Sequence, residues 1–163
     1  RSKTEGFIRE IDSPQAKIEC CMDARECIRG ADIVVTTTPS RKPVVKASWI
    51  SPGTHINAIG ADARGKEELA PAILKKAKVV VDDRPQAMHS GEINVPVSKK
   101  IIKESDIYAS LGEVIAGKKK GRASKDEITV FDSTGLAICD VAVADYVYKE
   151  ALRRGMGRHI RIL

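Results

Sequence analysis

Four short segments of the sequence place acids, hydroxyls or glycine directly after apolar runs. They are Thr36-Thr37-Thr38-Pro39-Ser40, Ala58-Ile59-Gly60-Ala61-Asp62, Asp82-Asp83-Arg84 and Asp132-Ser133-Thr134-Gly135. A carboxylate beside an amine can take its proton and return it, which makes Asp62 a candidate acid–base group. An Asp at a strand-to-helix turn is equally a favoured helix cap, so two roles stand open for it. Lys66, four residues on, reads as either a ligand-facing cation or a solvated lysine. Thr36 and Thr38 share a face of an extended strand and offer hydroxyls to a ligand, with Ser40 close behind. Ser133 and Thr134 stand before Gly135 in what is either a polar contact or a plain turn. His55 lies inside an apolar strand and reads as a satisfied core histidine. With His89, His159 and four cysteines it supplies no tetrahedral metal set.

The elements that must carry these residues alternate. Residues 4–11 read as a short helix stopped by Asp12-Ser13-Pro14, and 16–22 as a brief strand. Asp23, with Glu26 three residues later, starts a helix that Gly30 ends. Residues 33–38 are β-branched throughout, the composition of a strand covered on both faces in a parallel sheet. Further strands are expected over 54–60, 78–83 and 128–132. Helical segments are expected over 67–77, 98–103, 106–116 and 141–154, with 118–126 an exposed basic loop. This alternation predicts an α/β fold with a mainly parallel sheet flanked by helices, whose ligands sit outside the carboxyl ends of the strands.

Composition bounds the class. The 163 residues are 42% hydrophobic and 31% charged, which excludes a disordered tail, and no apolar run approaches the ~20 residues of a membrane span. The net charge of +6 is scattered apart from Lys118-Lys119-Lys120 and the C-terminal arginines. Aromatics are only 4%, so a nucleic-acid stacking surface is not expected. Cys20, Cys21, Cys27 and Cys139 form no C-x-x-C pair and read as buried, reduced thiols of a cytoplasmic protein.

Several stretches together resemble one family. They are Asp32-Ile-Val-Val-Thr-Thr-Thr-Pro-Ser40, Pro52 to Leu69 with Gly60-Ala-Asp62 and Gly65-Lys66-Glu67 inside it, Val79-Val-Val-Asp-Asp83, Ser90-Gly-Glu-Ile93, Gly112-Glu-Val-Ile-Ala-Gly117 and Thr129 to Ile138. In order and spacing they are similar to the ornithine cyclodeaminase, archaeal alanine dehydrogenase and mu-crystallin family. The resemblance implies a Rossmann-like fold, incomplete here. Residues 1–163 would be the C-terminal part of the dinucleotide-binding domain, with 141–163 a closing helix and tail packing on an N-terminal half. The Gly-rich phosphate turn would lie upstream of Arg1, and the intact protein would be a homodimer.

The resemblance further implies an NAD(P)-dependent oxidoreductase of a small amino or imino acid, working through an imine. The reaction would be alanine dehydrogenase-like or ornithine cyclodeaminase-like. The alternatives are a non-catalytic NADPH or small-molecule binder of the mu-crystallin type, a ketimine reductase, or a glutamyl-tRNA reductase-like domain sharing only the sheet. Asp62 would handle protons at the substrate amine and Thr134 would touch substrate. Thr36, Thr38, Ser40, Ile59, Gly60, Ala61, Lys66 and Ser133 would contact the cofactor. Arg1 and Ser2 resemble the opening of NADP-preferring members, which leans the cofactor towards NADP with NAD open. No metal, nucleic-acid or membrane partner is implied.

Overall fold

The computed structural model describes residues 2–11, 16–158 and 160. Five parallel strands form the main sheet: β1 (Ile33–Thr36), β3 (His55–Ala58), β5 (Lys78–Val81), β6 (Ala109–Ser110) and β7 (Thr129–Asp132), in the order β1-β3-β7-β5-β6. A separate pair, β2 (Arg41–Val45) and β4 (Glu67–Leu69), is also parallel. The register is level. Thr36 lies opposite Ala58, Ala58 opposite Asp132, Asp132 opposite Val81, and Val81 opposite Ser110. The turns after β1, β3, β5, β6 and β7 therefore leave from one edge, the carboxyl edge at which parallel sheets bind ligands.

Strand side chains alternate between the two faces, and here one face is buried. Val34, Ile56, Val79, Val81 and Val130 pack with Val45, Leu69, Ile73, Leu74, Ile93 and Ile107 into one core. On the other face Ile33 and Val35 are more than half exposed, and His55, Asn57 and Phe131 line an open cleft of about 700 Å³. The cover expected on both faces of residues 33–38 is thus present on one only. The long helix α7 (Ala137–Arg153) has no buried residue, so it does not supply the second cover.

Other expectations shift for identifiable reasons. Residues 16–22 are irregular rather than a strand, because their backbone groups find no ladder partner among the described residues. Glu67-Glu68-Leu69 is strand, and the helix expected from 67 begins only at Pro71, as α3 (Pro71–Leu74). Proline lacks the N–H a helix interior needs but suits its first position, which sets that start. Two helices lay under unread caps. Asp83 accepts the Gln86 N–H at 2.9 Å to open α4 (Arg84–Ser90), and Ser110 with Glu113 forms a capping box on α6 (Leu111–Ile115). The segment at 98–103 sits earlier, as α5 (Asn94–Ser98), and Lys100 at φ 56° ends it. At 106–116 a short strand, β6, separates a 3-10 turn (Glu104–Asp106) from α6. The closing helix starts four residues before the expected 141. The helix after Asp23 is as read: α2 (Ala24–Ile28) begins with Asp23 accepting the Glu26 N–H at 2.8 Å. The first helix, α1 (Ser2–Ile11), likewise matches.

Candidate functional site

The carboxyl edge of the sheet gathers most of the candidate residues. Asp62 lies four residues beyond β3 in an irregular turn; no helix begins there, so the capping role drops out. Its exposed carboxylate pairs with Lys66 Nζ across the turn. That hydrogen bond, followed by the lysine's charge, holds the Asp62 carboxyl below the usual aspartate range. Asp62 is thus an ionised base with a cation beside it, open to solvent on its other side. The turn is pinned by Asn94, whose side chain accepts the Gly65 N–H and donates to the Lys66 carbonyl, both at 2.9 Å.

The turn after β1 lies alongside. Thr38 is exposed and its N–H is held by the buried Glu68 at 2.6 Å. Thr36 does not share its exposure: it ends β1 with 6% of its surface accessible, and its hydroxyl has no partner among the described residues. It lines an apolar cleft of about 310 Å³ with Thr37, Thr38, Val44 and Val45. Ser40 is occupied locally, donating to the Lys42 carbonyl at 2.6 Å and accepting its N–H. The N–H groups of Ile59 and Gly60 both reach the Thr36 carbonyl, at 2.9 and 3.1 Å, tying the first two strand ends together. Ile59 projects into solvent and Ala61 is buried. Gly60 has no room for a side chain: a Cβ would press on the Thr38 carbonyl oxygen and lie 2.6 Å from Glu68 Oε2.

The third part is the turn after β7. Asp82, at the end of β5, accepts the N–H groups of Thr134 (2.6 Å) and Gly135 (3.1 Å) and the Thr134 hydroxyl at 3.0 Å. Ser133 donates to the same carboxylate at 3.4 Å. Ser133 and Thr134 are therefore held in place by an acid that sequence reasoning placed at a strand end without giving it a role. Ser133 and Gly135 border a cleft of about 510 Å³ with Leu111, Phe131 and Leu136. Arg1 and the Ser2 side chain lie outside the described residues. The larger cleft on the open face contains none of the candidates. His55 is satisfied, with Nδ1 2.7 Å from the Thr129 hydroxyl and Nε2 3.2 Å from Asn57 Oδ1, but it sits on the open face rather than in the core.

Sequence reasoning missed three fully buried acids, Glu68, Glu92 and Asp132, as functional groups. Glu92 accepts the N–H groups of Glu68 and Leu69, and Asp132 those of Glu92 and Ile93. Burial pushes the Glu92 carboxyl up to about 8 against the pull of those amides, and Asp132 up to about 7. The available signal was Pro71, which rules out a helix through Glu68 and makes an exposed helical acid the wrong picture.

With the geometry in hand, comparison with known proteins is informative. The sequence profile of the ornithine cyclodeaminase/mu-crystallin family matches residues 1–155. An alanine dehydrogenase of Archaeoglobus fulgidus is 60% identical over 146 residues, covering 90% of this chain and 44% of that protein. A solved archaeal alanine dehydrogenase dimer with bound NAD is 56% identical, covers 99% of this chain and 49% of its own, and superposes with a TM-score of 0.84. The Delta(1)-pyrroline-2-carboxylate reductase of Thermococcus litoralis, solved with NADH and L-proline, is 38% identical with a TM-score of 0.91, covering 98% and 50%. The chain spans about half the length of the relatives it matches.

Proposed function

The chain belongs to the ornithine cyclodeaminase/mu-crystallin family, and on that footing we propose that it forms the later part of the dinucleotide domain of an NAD(P)-dependent oxidoreductase acting on a small α-amino or α-imino acid. The observation that carries this reading is the Asp62–Lys66 pair at the sheet's carboxyl edge beside the turn bearing Thr38, with the carboxylate exposed and the lysine largely covered. An ionised carboxylate there takes a proton from a substrate ammonium or imine nitrogen and gives it back. Lys66 keeps it ionised and supplies positive charge towards an anionic ligand. A dinucleotide, when bound, supplies hydride exchange at the nicotinamide ring.

The residues present fit such a group. The unpartnered Thr36 hydroxyl in an apolar cleft matches a flat heterocycle with a polar edge, and the cleft bordered by Ser133 offers a second hydroxyl. Asp82 fixes the Ser133–Thr134 turn for substrate and cofactor contact. The relatives were solved with NAD or NADH, and the NADP preference read from Arg1 and Ser2 goes to the titration below. We place the activity in a protein of the relatives' full length and, like the archaeal relative, a dimer. The helix α7, with no buried residue, and the open sheet face are then surfaces for the remaining half. Four free thiols support a cytoplasmic setting, although none is buried as expected: Cys27 and Cys139 are exposed and Cys20 and Cys21 half-buried.

The test uses the chain extended upstream to its relatives' length, with NADH and NADPH titrated by fluorescence. Turnover is followed with pyruvate plus ammonia, ornithine and pyrroline-2-carboxylate. One dinucleotide should bind and one substrate should turn over. If neither dinucleotide binds, the oxidoreductase reading falls.

A further inference from the structure

We propose that Glu68 is the positioning residue of the site, its carboxylate clamping the Thr38 turn to the loop that carries Asp62 and Lys66. What the clamp is for rests on the functional reading above; that it exists does not.

The geometry is specific. Glu68 is fully buried at the centre of β4, and its two oxygens are divided between two turns. Oε1 accepts the Thr38 N–H at 2.6 Å and Oε2 the Gly60 N–H at 2.9 Å. The second bond closes the loop from 60 to 68 on itself, with Asp62 and Lys66 inside it. The first ties that closed loop to the strand end from β1. Both oxygens must accept, which a carboxylate does and an amide cannot: glutamine at this position would aim an NH2 at one of two N–H donors. Gly60 completes the fit, because any side chain there would displace either the Thr38 carbonyl or Glu68.

Glu68 is itself held by two further buried acids. Glu92 accepts its N–H at 2.9 Å and that of Leu69 at 2.6 Å. Asp132, the last residue of β7, accepts the Glu92 N–H at 2.8 Å and the Ile93 N–H at 3.2 Å. A Cβ at Gly91 would lie 2.5 Å from Asp132 Oδ2, so this link also depends on a glycine. Three buried acids thus pass from β7 through the turn at 91–93 and β4 to the ends of β1 and β3. Burying carboxylates is costly. What this arrangement supplies is a fixed spacing between the Thr38 turn and the 60–68 loop, beyond the ties that the Ile59 and Gly60 N–H groups make to the Thr36 carbonyl.

The test is made on the protein extended to its relatives' length. In the wild type, NMR through-hydrogen-bond coupling should connect the Glu68 carboxyl carbon to the amide nitrogens of Thr38 and Gly60. This measurement needs no variant, and lack of both couplings overturns the clamp. Glu68→Gln should speed amide exchange at Thr38 and Gly60 by ~10-fold while exchange at Ile56 and Val130 keeps its wild-type rate. It should weaken NADH binding by ~10-fold as well, the loss of one charge-assisted hydrogen bond, whereas Glu67→Gln binds as wild type does. Unchanged exchange at both amides also overturns the clamp. Changed exchange with unchanged NADH affinity removes its positioning role. If the wild type binds no dinucleotide, the functional reading fails while the amide data still decide the clamp.

Discussion

At the scale of single residues, the chemistry rests on how Lys66 sets the charge of Asp62. The lysine's hydrogen bond and charge hold that carboxyl low, so Lys66→Met should let its pKa rise towards the ordinary value. The acid limb of a kcat/KM profile would then move to higher pH. An unmoved limb would mean that Asp62 is not the group being titrated. Asp62→Asn removes the proton carrier altogether and should lower kcat by about 10²-fold or more, with dinucleotide affinity nearly unchanged. Full turnover in that variant would remove Asp62 from the mechanism. Both residues were legible in the sequence, since an acid and a lysine four apart just after an apolar strand carry a chemical meaning of their own. Glu68 was not. Read as part of a helix it would have been one more solvated acid, and only its burial in β4 reveals what its two oxygens hold.

At the scale of elements, legibility followed how much each one depends on distant partners. The strands β1 and β5 are short β-branched runs, β3 and β7 set Ile56, Ala58 and Val130 on the same buried face, and all four lie where the sequence puts them. The segment at 16–22 has strand composition, but pairing is a non-local property that composition does not contain. The short helix α4 was missed and α6 was read as the end of a longer helix, although both starts are signalled locally: Asp83 with Pro85, and Ser110 with Glu113 three residues on. The Ser110 box is worth testing, because α6 has no buried residue and depends on its cap. In it Ser110 Oγ accepts the Glu113 N–H at 3.3 Å, and Glu113 accepts the Ser110 N–H at 2.8 Å. Ser110→Ala should cost about 1 kcal/mol, which thermal unfolding would register as a fall of roughly 2–4 °C. An unchanged midpoint would show that α6 is held by something other than its cap.

At the scale of the whole molecule, the buried acids give stability a definite dependence on pH. Glu92 lies in the core with Glu68 and Asp132 as its charged neighbours, and its carboxyl is raised to about 8, mainly by burial. Asp132 faces Asp82 and the amides of Glu92 and Ile93 and is raised to about 7, again mainly by burial. An acid whose folded pKa exceeds its unfolded one binds more protons when folded. Its contribution is complete below the unfolded value and is lost as pH rises through the folded one. The acids nearer the surface run the other way. Asp62, Glu113, Glu127 and Glu150 are all lowered by their partners, and what they add disappears only as pH falls below the ordinary carboxylate range. Their contact with solvent keeps those pairs weak. The buried pair should therefore dominate from about pH 5 to about pH 8, with unfolding free energy falling across that window by several kcal/mol. Glu92→Gln keeps an oxygen for the Glu68 and Leu69 amides and has no proton to lose. Its urea midpoints, measured across the same window, should be flatter with pH than those of the wild type. A wild-type midpoint that stays level from pH 5 to pH 8 would show that Glu92 and Asp132 are ionised throughout, as they are in the unfolded chain. The acids that fix the strand-end turns would then be held as charges rather than as proton carriers.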